Sequence, residues 1–177
     1  MRIGLLGGSF NPAHAAHRHI SLTALKRLGL DQVWWLVTPG NPLKAGAKQP
    51  SLESRVAAAR EVAHHPRIVV TGFEGARKSP YTVDTLKFLK QRFPGVHFVW
   101  LMGADNLAEL HHWRDWPALF RLVPIAVFDR PASGKDRGHT RRAVAKHGGE
   151  TFPQRRHRGK KRIVFDDFPT ASVDKNK

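Results

Sequence analysis

A short apolar run, Arg2-Ile3-Gly4-Leu5-Leu6, breaks at Gly7-Gly8 and passes through Ser9-Phe10-Asn11-Pro12-Ala13 directly into a helix carrying His14 and His17. A strand that turns on glycines into a helix lets the backbone approach an anion closely, and it aims unpaired helix N–H groups and positive partial charge at that anion. The spacing His14-x-x-His17 sets both imidazoles on one face of the first helical turn, leaning toward its N-terminus, where they add donors. The segment therefore predicts a phosphate cradle at the carboxyl end of a first strand.

The chain beyond this turn alternates in the same way. A helix from about Ala13 to Leu28 carries Ile20, Ala24 and Leu28 on one stripe with Leu25 beside it, and Gly29 stops it. Gln32 to Val37 reads as a buried strand, and Thr38 to Gln49 as a Pro/Gly-rich loop. Ser51 caps a second helix that runs to about Ala63, with Glu53 in its first turn. Arg67 to Thr71 is a third strand, Thr82 to Phe93 a helix, and His97 to Met102 a fourth strand. Leu107 to about Leu122 reads as helix broken around Pro117, and Pro124 to Phe128 as a fifth strand. Strands separated by helices require right-handed crossovers, so the expected class is α/β: a Rossmann-like, doubly wound parallel sheet with helices on both faces. Ligands in such sheets bind beyond the carboxyl ends of the strands. The glycine–histidine segment, the loop after Val37 and Gly103-Ala104-Asp105 all start there.

Composition bounds the rest. The 177 residues fit one globular domain with an appendage, and no apolar run approaches the roughly 18 residues of a membrane span. A soluble cytoplasmic protein is the default expectation. The chain has no cysteine, which removes thiolate catalysis, disulfides and Cys-ligated zinc. His14, His17 and His19 make a poor metal set because His19 falls on another face. The net charge of +16 is unevenly spread: the 49 residues from Asp129 onward hold 14 Lys/Arg against 6 Asp/Glu, and apolar periodicity fades there. These observations divide the chain into a domain over 1–131 and a basic tail over 132–177, the tail being divergent or partly disordered.

The phosphate motif is defined first by exclusion. G-x-G-x-x-G is absent, which argues against a dinucleotide redox domain, and so is G-x-x-x-x-G-K-[ST], which argues against a P-loop NTPase. A strand, a Gly-Gly turn and a helix with H-x-x-H remain. This resembles the (H/T)-x-G-H nucleotidyltransferase superfamily and, within it, the nicotinate-mononucleotide adenylyltransferases, whose G-G-x-F-[DN]-P-x-H-x-x-H is reproduced at Gly7 to His17. Further segments follow the family in order: Pro39 and Pro42 with Lys44; Arg55 at the start of the next helix; Glu74, Arg77 and Ser79-Pro80-Tyr81-Thr82-Val83-Asp84-Thr85-Leu86; Gly103-Ala104-Asp105-Asn106-Leu107; and Trp113.

The resemblance implies transfer of AMP from ATP to nicotinate mononucleotide, with Mg²⁺ accompanying ATP and no covalent intermediate. It implies that His14 and His17 contact the triphosphate, with Lys44 as cationic help and Gly8, Ser9 and Phe10 offering backbone N–H groups. It assigns Gly103 and Asp105 to the adenosine, Thr85 and Trp113 to the nicotinate ring and its carboxylate, and Arg130 to a substrate phosphate. Packing for Trp113, helix capping for Asp105 and a solvated surface charge for Lys44 are the rival roles.

After Asp129-Arg130-Pro131 the visible likeness stops, and the family's I-S-S-T-x-I-R segment has no counterpart. Ile163-Val164-Phe165 alone suggests a sixth strand. Two alternatives therefore stand beside the main reading. One is a sister adenylyltransferase acting on phosphopantetheine or another phosphate ester; the other is an inactive nucleotide-fold domain whose basic tail binds nucleic acid through phosphates.

Overall fold

The computed structural model describes residues 1–39, 49–73 and 79–128, and the backbone of 163–166. The strands are β1 (Arg2–Gly8), β2 (Gln32–Val37), β3 (Ile68–Thr71), β4 (His97–Gly103), β5 (Ile125–Phe128) and β6 (Ile163–Asp166). The helices are α1 (Ala15–Arg27), α2 (Leu52–Ala63), α3 (Thr82–Arg92), α4 (Ala104–Glu109) and α5 (Trp116–Leu122), with a 3-10 turn at Leu110–His112. All neighbouring strands pair in parallel, in the order β3-β2-β1-β4-β5-β6.

Period-two alternation explains why both faces are covered. Along β4, Phe98, Trp100 and Met102 face one core while Leu101 faces the other; along β5, Ile125 and Val127 oppose Ala126 and Phe128. One face is closed by α1 and α2 through Ile20, Ala24, Leu25, Ala59 and Ala63. The opposite face is closed by α3, α4 and α5 through Val83, Leu86, Leu89, Leu107 and Leu119. The α/β, doubly wound architecture is thus as the sequence pattern anticipates, and Ile163–Asp166 forms the sixth strand, in register with Ile125–Phe128.

The strand order reverses between β1 and β4, which is where a doubly wound sheet opens a crevice at its carboxyl edge. Register runs from Arg2↔His97 to Leu6↔Leu101, and the two strands end at Gly8 and Gly103. The glycine–histidine turn and the Gly103-Ala104-Asp105 segment therefore flank one crevice.

Two local readings need correction. α1 begins at Ala15, leaving His14 as its N-cap residue in extended conformation (φ −149°, ψ 170°). Pro117 does not break a helix; it sits in the first turn of α5, where its missing N–H costs nothing. The interruption falls at 113–115 instead, where Asp115 takes φ +48° and the chain re-enters helix. Elsewhere the local signals hold. Ser51 Oγ accepts from the Ser54 amide at 3.1 Å to cap α2, and Gly29 follows α1 at φ +57°.

Gly7 lies on the β1 face where any side chain would collide with Trp100: an added Cβ would stand 2.5 Å from Trp100 Cη2. Trp100 is 3% exposed and part of the core, so it has little room to yield. Replacing Gly7 with Ala is expected to destabilise the fold by about 1–3 kcal/mol in urea titration, while Gly95→Ala, with nothing within 4 Å among the described residues, shifts it by less than about 0.5 kcal/mol. Equal effects at the two positions would contradict the packing described.

Candidate active site

The turn between β1 and α1 is fixed from three sides. Phe10, at φ +47°, occupies the left-handed region that costs a non-glycine residue about 1–3 kcal/mol. Its side chain offsets this by burial: it is 2% exposed and stacks on Trp35 at 5.0 Å and 17°. Beside it, the His14 and His17 rings stand 3.9 Å apart, and His17 is 4.7 Å from the Phe10 ring. The His14 amide donates to His17 Nδ1 at 3.2 Å. An accepting Nδ1 carries no proton, so the ring proton resides on Nε2, the donor atom of that imidazole.

Trp35 also anchors α1 itself. Its Nε1 donates to Ser21 Oγ at 2.7 Å, and Ser21 Oγ donates to the His17 carbonyl at 2.8 Å. Both Trp35 and Ser21 are fully buried. This relay ties the first turn of the helix to the centre of β2, and nothing in local spacing reveals it. The apolar run marks Trp35 as a buried strand residue, while no sequence signal marks Ser21.

Arg55, matched in sequence but without a role, is 3% exposed at the start of α2. Its Nη1 donates to the carbonyls of Ser9 at 2.7 Å and Thr38 at 2.8 Å, its Nη2 to Pro39 at 3.1 Å and its Nε to Pro50 at 3.1 Å. Burial lowers the guanidinium pKa and the nearby Glu53 carboxylate opposes that, but arginine remains charged. Gly8 joins the same neighbourhood, its carbonyl accepting from the Thr38 amide at 3.0 Å.

On the opposite face the second group of predicted residues gathers. Gly103 is buried at the end of β4 and caps α4; Asp105 is exposed in the first turn of that helix rather than preceding it. Trp113 is half-buried and meets Trp100 edge-on at 6.3 Å and 85°. Arg114 lies over the Tyr81 ring at 4.5 Å, linking the Trp113 loop to the start of α3. That start is itself tied down, because Ser79 Oγ donates to Asp84 Oδ2 at 2.5 Å. Thr85, whose amide donates to the Tyr81 carbonyl at 3.2 Å, is completely buried. The structure thus brings Gly8, Ser9, Phe10, His14 and His17 together at one strand end, and Trp113 to the α3 start that holds Thr85. Lys44 and Arg130, like Glu74 and Arg77, lie outside the described residues.

The Trp35–Ser21 bond makes a direct stability prediction. Ser21→Ala leaves a buried indole N–H without its acceptor and is expected to cost about 1–3 kcal/mol in chemical denaturation. A loss below about 0.5 kcal/mol would mean that the relay does not hold α1.

The chain matches the Cytidylyltransferase-like family over residues 5–171. It is 54% identical over 173 residues, 98% of this chain and 87% of the relative, to a probable nicotinate-nucleotide adenylyltransferase of Methylorubrum extorquens (strain PA1). A second, of Bradyrhizobium sp. (strain ORS 278), is 59% identical over 131 residues, 74% of this chain and 68% of the relative. A Plasmodium falciparum nicotinic acid mononucleotide adenylyltransferase solved with NaAD shares the fold at TM-score 0.71 and 17% identity, covering 97% of this chain and 77% of that one. The match extends well past Pro131, where likeness by motif ends, so most of the basic tail belongs to the matched region. With the glycine–histidine turn, the doubly wound sheet and these relatives in agreement, the chain belongs to the nicotinate-nucleotide adenylyltransferase family of nucleotidyltransferases.

Proposed function

We infer that this chain joins ATP to nicotinate mononucleotide, giving deamido-NAD and pyrophosphate. The observation that carries the reading is the paired imidazoles of His14 and His17 at the N-terminus of α1, beside the strand-order reversal of the sheet, in a chain 54% identical to its Methylorubrum relative. A phosphate oxygen of the mononucleotide attacks the α-phosphorus of ATP, and the bond from that phosphorus to the oxygen bridging it to the β-phosphate breaks. The nucleophile is already ionised at neutral pH, so no general base is needed. Alignment and positive charge around the departing pyrophosphate supply the acceleration.

In this reading the His17 Nε2–H, His14 and Lys44 bear on the triphosphate, and the amides of Gly8, Ser9 and Phe10 face its oxygens. Gly103 and Asp105 line the adenosine, Thr85 and Trp113 receive the nicotinate, and Arg130 meets a substrate phosphate. Mg²⁺ arrives as part of the ATP complex and neutralises phosphate oxygens. We place the enzyme in the cytoplasm with both nucleotides; among the described residues no helix is long and apolar enough to cross a membrane.

The test offers ATP and Mg²⁺ with nicotinate mononucleotide, its amide or phosphopantetheine, and measures pyrophosphate. Turnover is expected with the pyridine nucleotide. A preference for phosphopantetheine would make the chain a sister adenylyltransferase, and inactivity with all three alongside salt-sensitive RNA binding would make it a nucleic-acid binder. His17→Ala should lower kcat by about 10²–10³-fold, with a smaller change in the KM for ATP. A raised KM with unaltered kcat would demote His17 to a binding group.

A further inference from the structure

We propose that Arg55 is a positioning residue for the triphosphate site, holding the turns after β1 and β2 in one arrangement and orienting the Phe10 amide toward the phosphates. The guanidinium carries five N–H donors in a rigid plane, and four bonds run from it to carbonyls of Ser9, Thr38, Pro39 and Pro50. These carbonyls come from three stretches of the chain, the farthest of them, at Ser9, lying 46 positions before Arg55, so the side chain joins segments that follow the last paired strand residues, Gly8 and Val37.

The peptide plane turns this into a statement about the site. In a trans peptide the carbonyl and the following N–H point in opposite directions. With the Ser9 carbonyl aimed at Arg55, the Phe10 N–H is aimed away from it, on the side opposite the α2 guanidinium. Thr38 and Pro39, fixed by the same group, begin the segment that leads to Lys44. One buried cation, partnered among the described residues by carbonyls, therefore sets both the donor direction of the turn and the position of Thr38 and Pro39, from which the lysine segment starts.

The kinetic part of this proposal rests on the adenylyl-transfer reading; its binding part does not. The experiment compares the wild-type protein with Arg55→Lys, which keeps the charge and loses the planar fork. It uses calorimetry with inorganic tripolyphosphate, steady-state kinetics, and circular dichroism. In Arg55→Lys the Kd for tripolyphosphate and the KM for ATP are expected to rise about tenfold and kcat to fall about tenfold, while the KM for nicotinate mononucleotide stays within about twofold. Constants equal to wild type, or both KM values rising together, would overturn the proposal; weakened tripolyphosphate binding in an otherwise inactive protein would uphold it and refute adenylyl transfer. If Arg55→Lys does not fold, amide exchange in the wild-type protein decides. The Phe10 and Thr38 amides should slow together on adding tripolyphosphate, and protection of only one, or of neither, would overturn the clamp.

Discussion

A guanidinium taken out of water is tolerated only where its N–H groups find acceptors in the right plane. Among the described residues Arg55 finds four, all backbone carbonyls at the carboxyl edge of the sheet or just before α2. The consequence runs outward from that side chain. The ends of β1 and β2 are held in one relation, and the Ser9–Phe10 peptide takes one orientation. Phe10 can then accept a left-handed backbone because its ring is stacked on Trp35. Removing any one of these leaves the others with an uncompensated cost, such as a buried cation, an unpaired carbonyl or a strained residue without its packing.

Two tryptophans divide the rest of the site between the faces of the sheet. Trp35, on the α1/α2 face, holds the first turn of α1 through Ser21 and supports Phe10, and so underlies the histidine side. Trp100, on the other face, packs over the bare Cα of Gly7 and meets Trp113 edge-on. The crevice where strand order reverses opens at the carboxyl ends of β1 and β4. A reaction that needs no base and no covalent intermediate depends on donors and rings already in place before substrate arrives. Both indoles supply that rigidity from within the core.

Much of this was legible in the sequence because it is local. The Gly7-Gly8 turn, the Ser51 cap, the Gly29 stop and the apolar strand around Trp34-Trp35 are signals a few residues long, and each forms as its chemistry dictates. Pro117 was misread because a proline that ends one helix and a proline that begins another look alike without the intervening Asp115 geometry. The Arg55 fork, the Trp35–Ser21 relay and the Trp100–Gly7 contact stayed hidden for a different reason. They join residues far apart in sequence through backbone carbonyls, a buried hydroxyl or a ring edge, which no residue pattern encodes. Phe10 is hidden too, since only glycine advertises a positive φ.

On the proposed function, the phosphate cradle is assembled before ATP arrives, by side chains buried beneath it. A crystal structure with a non-hydrolysable ATP analogue tests this most directly. The β- and γ-phosphates are expected against the Phe10 amide and the His14 and His17 imidazoles, with the Ser9 carbonyl still bonded to Arg55 and Phe10 still at positive φ. Phosphates bound elsewhere, or a turn that abandons Arg55 to receive them, would contradict it.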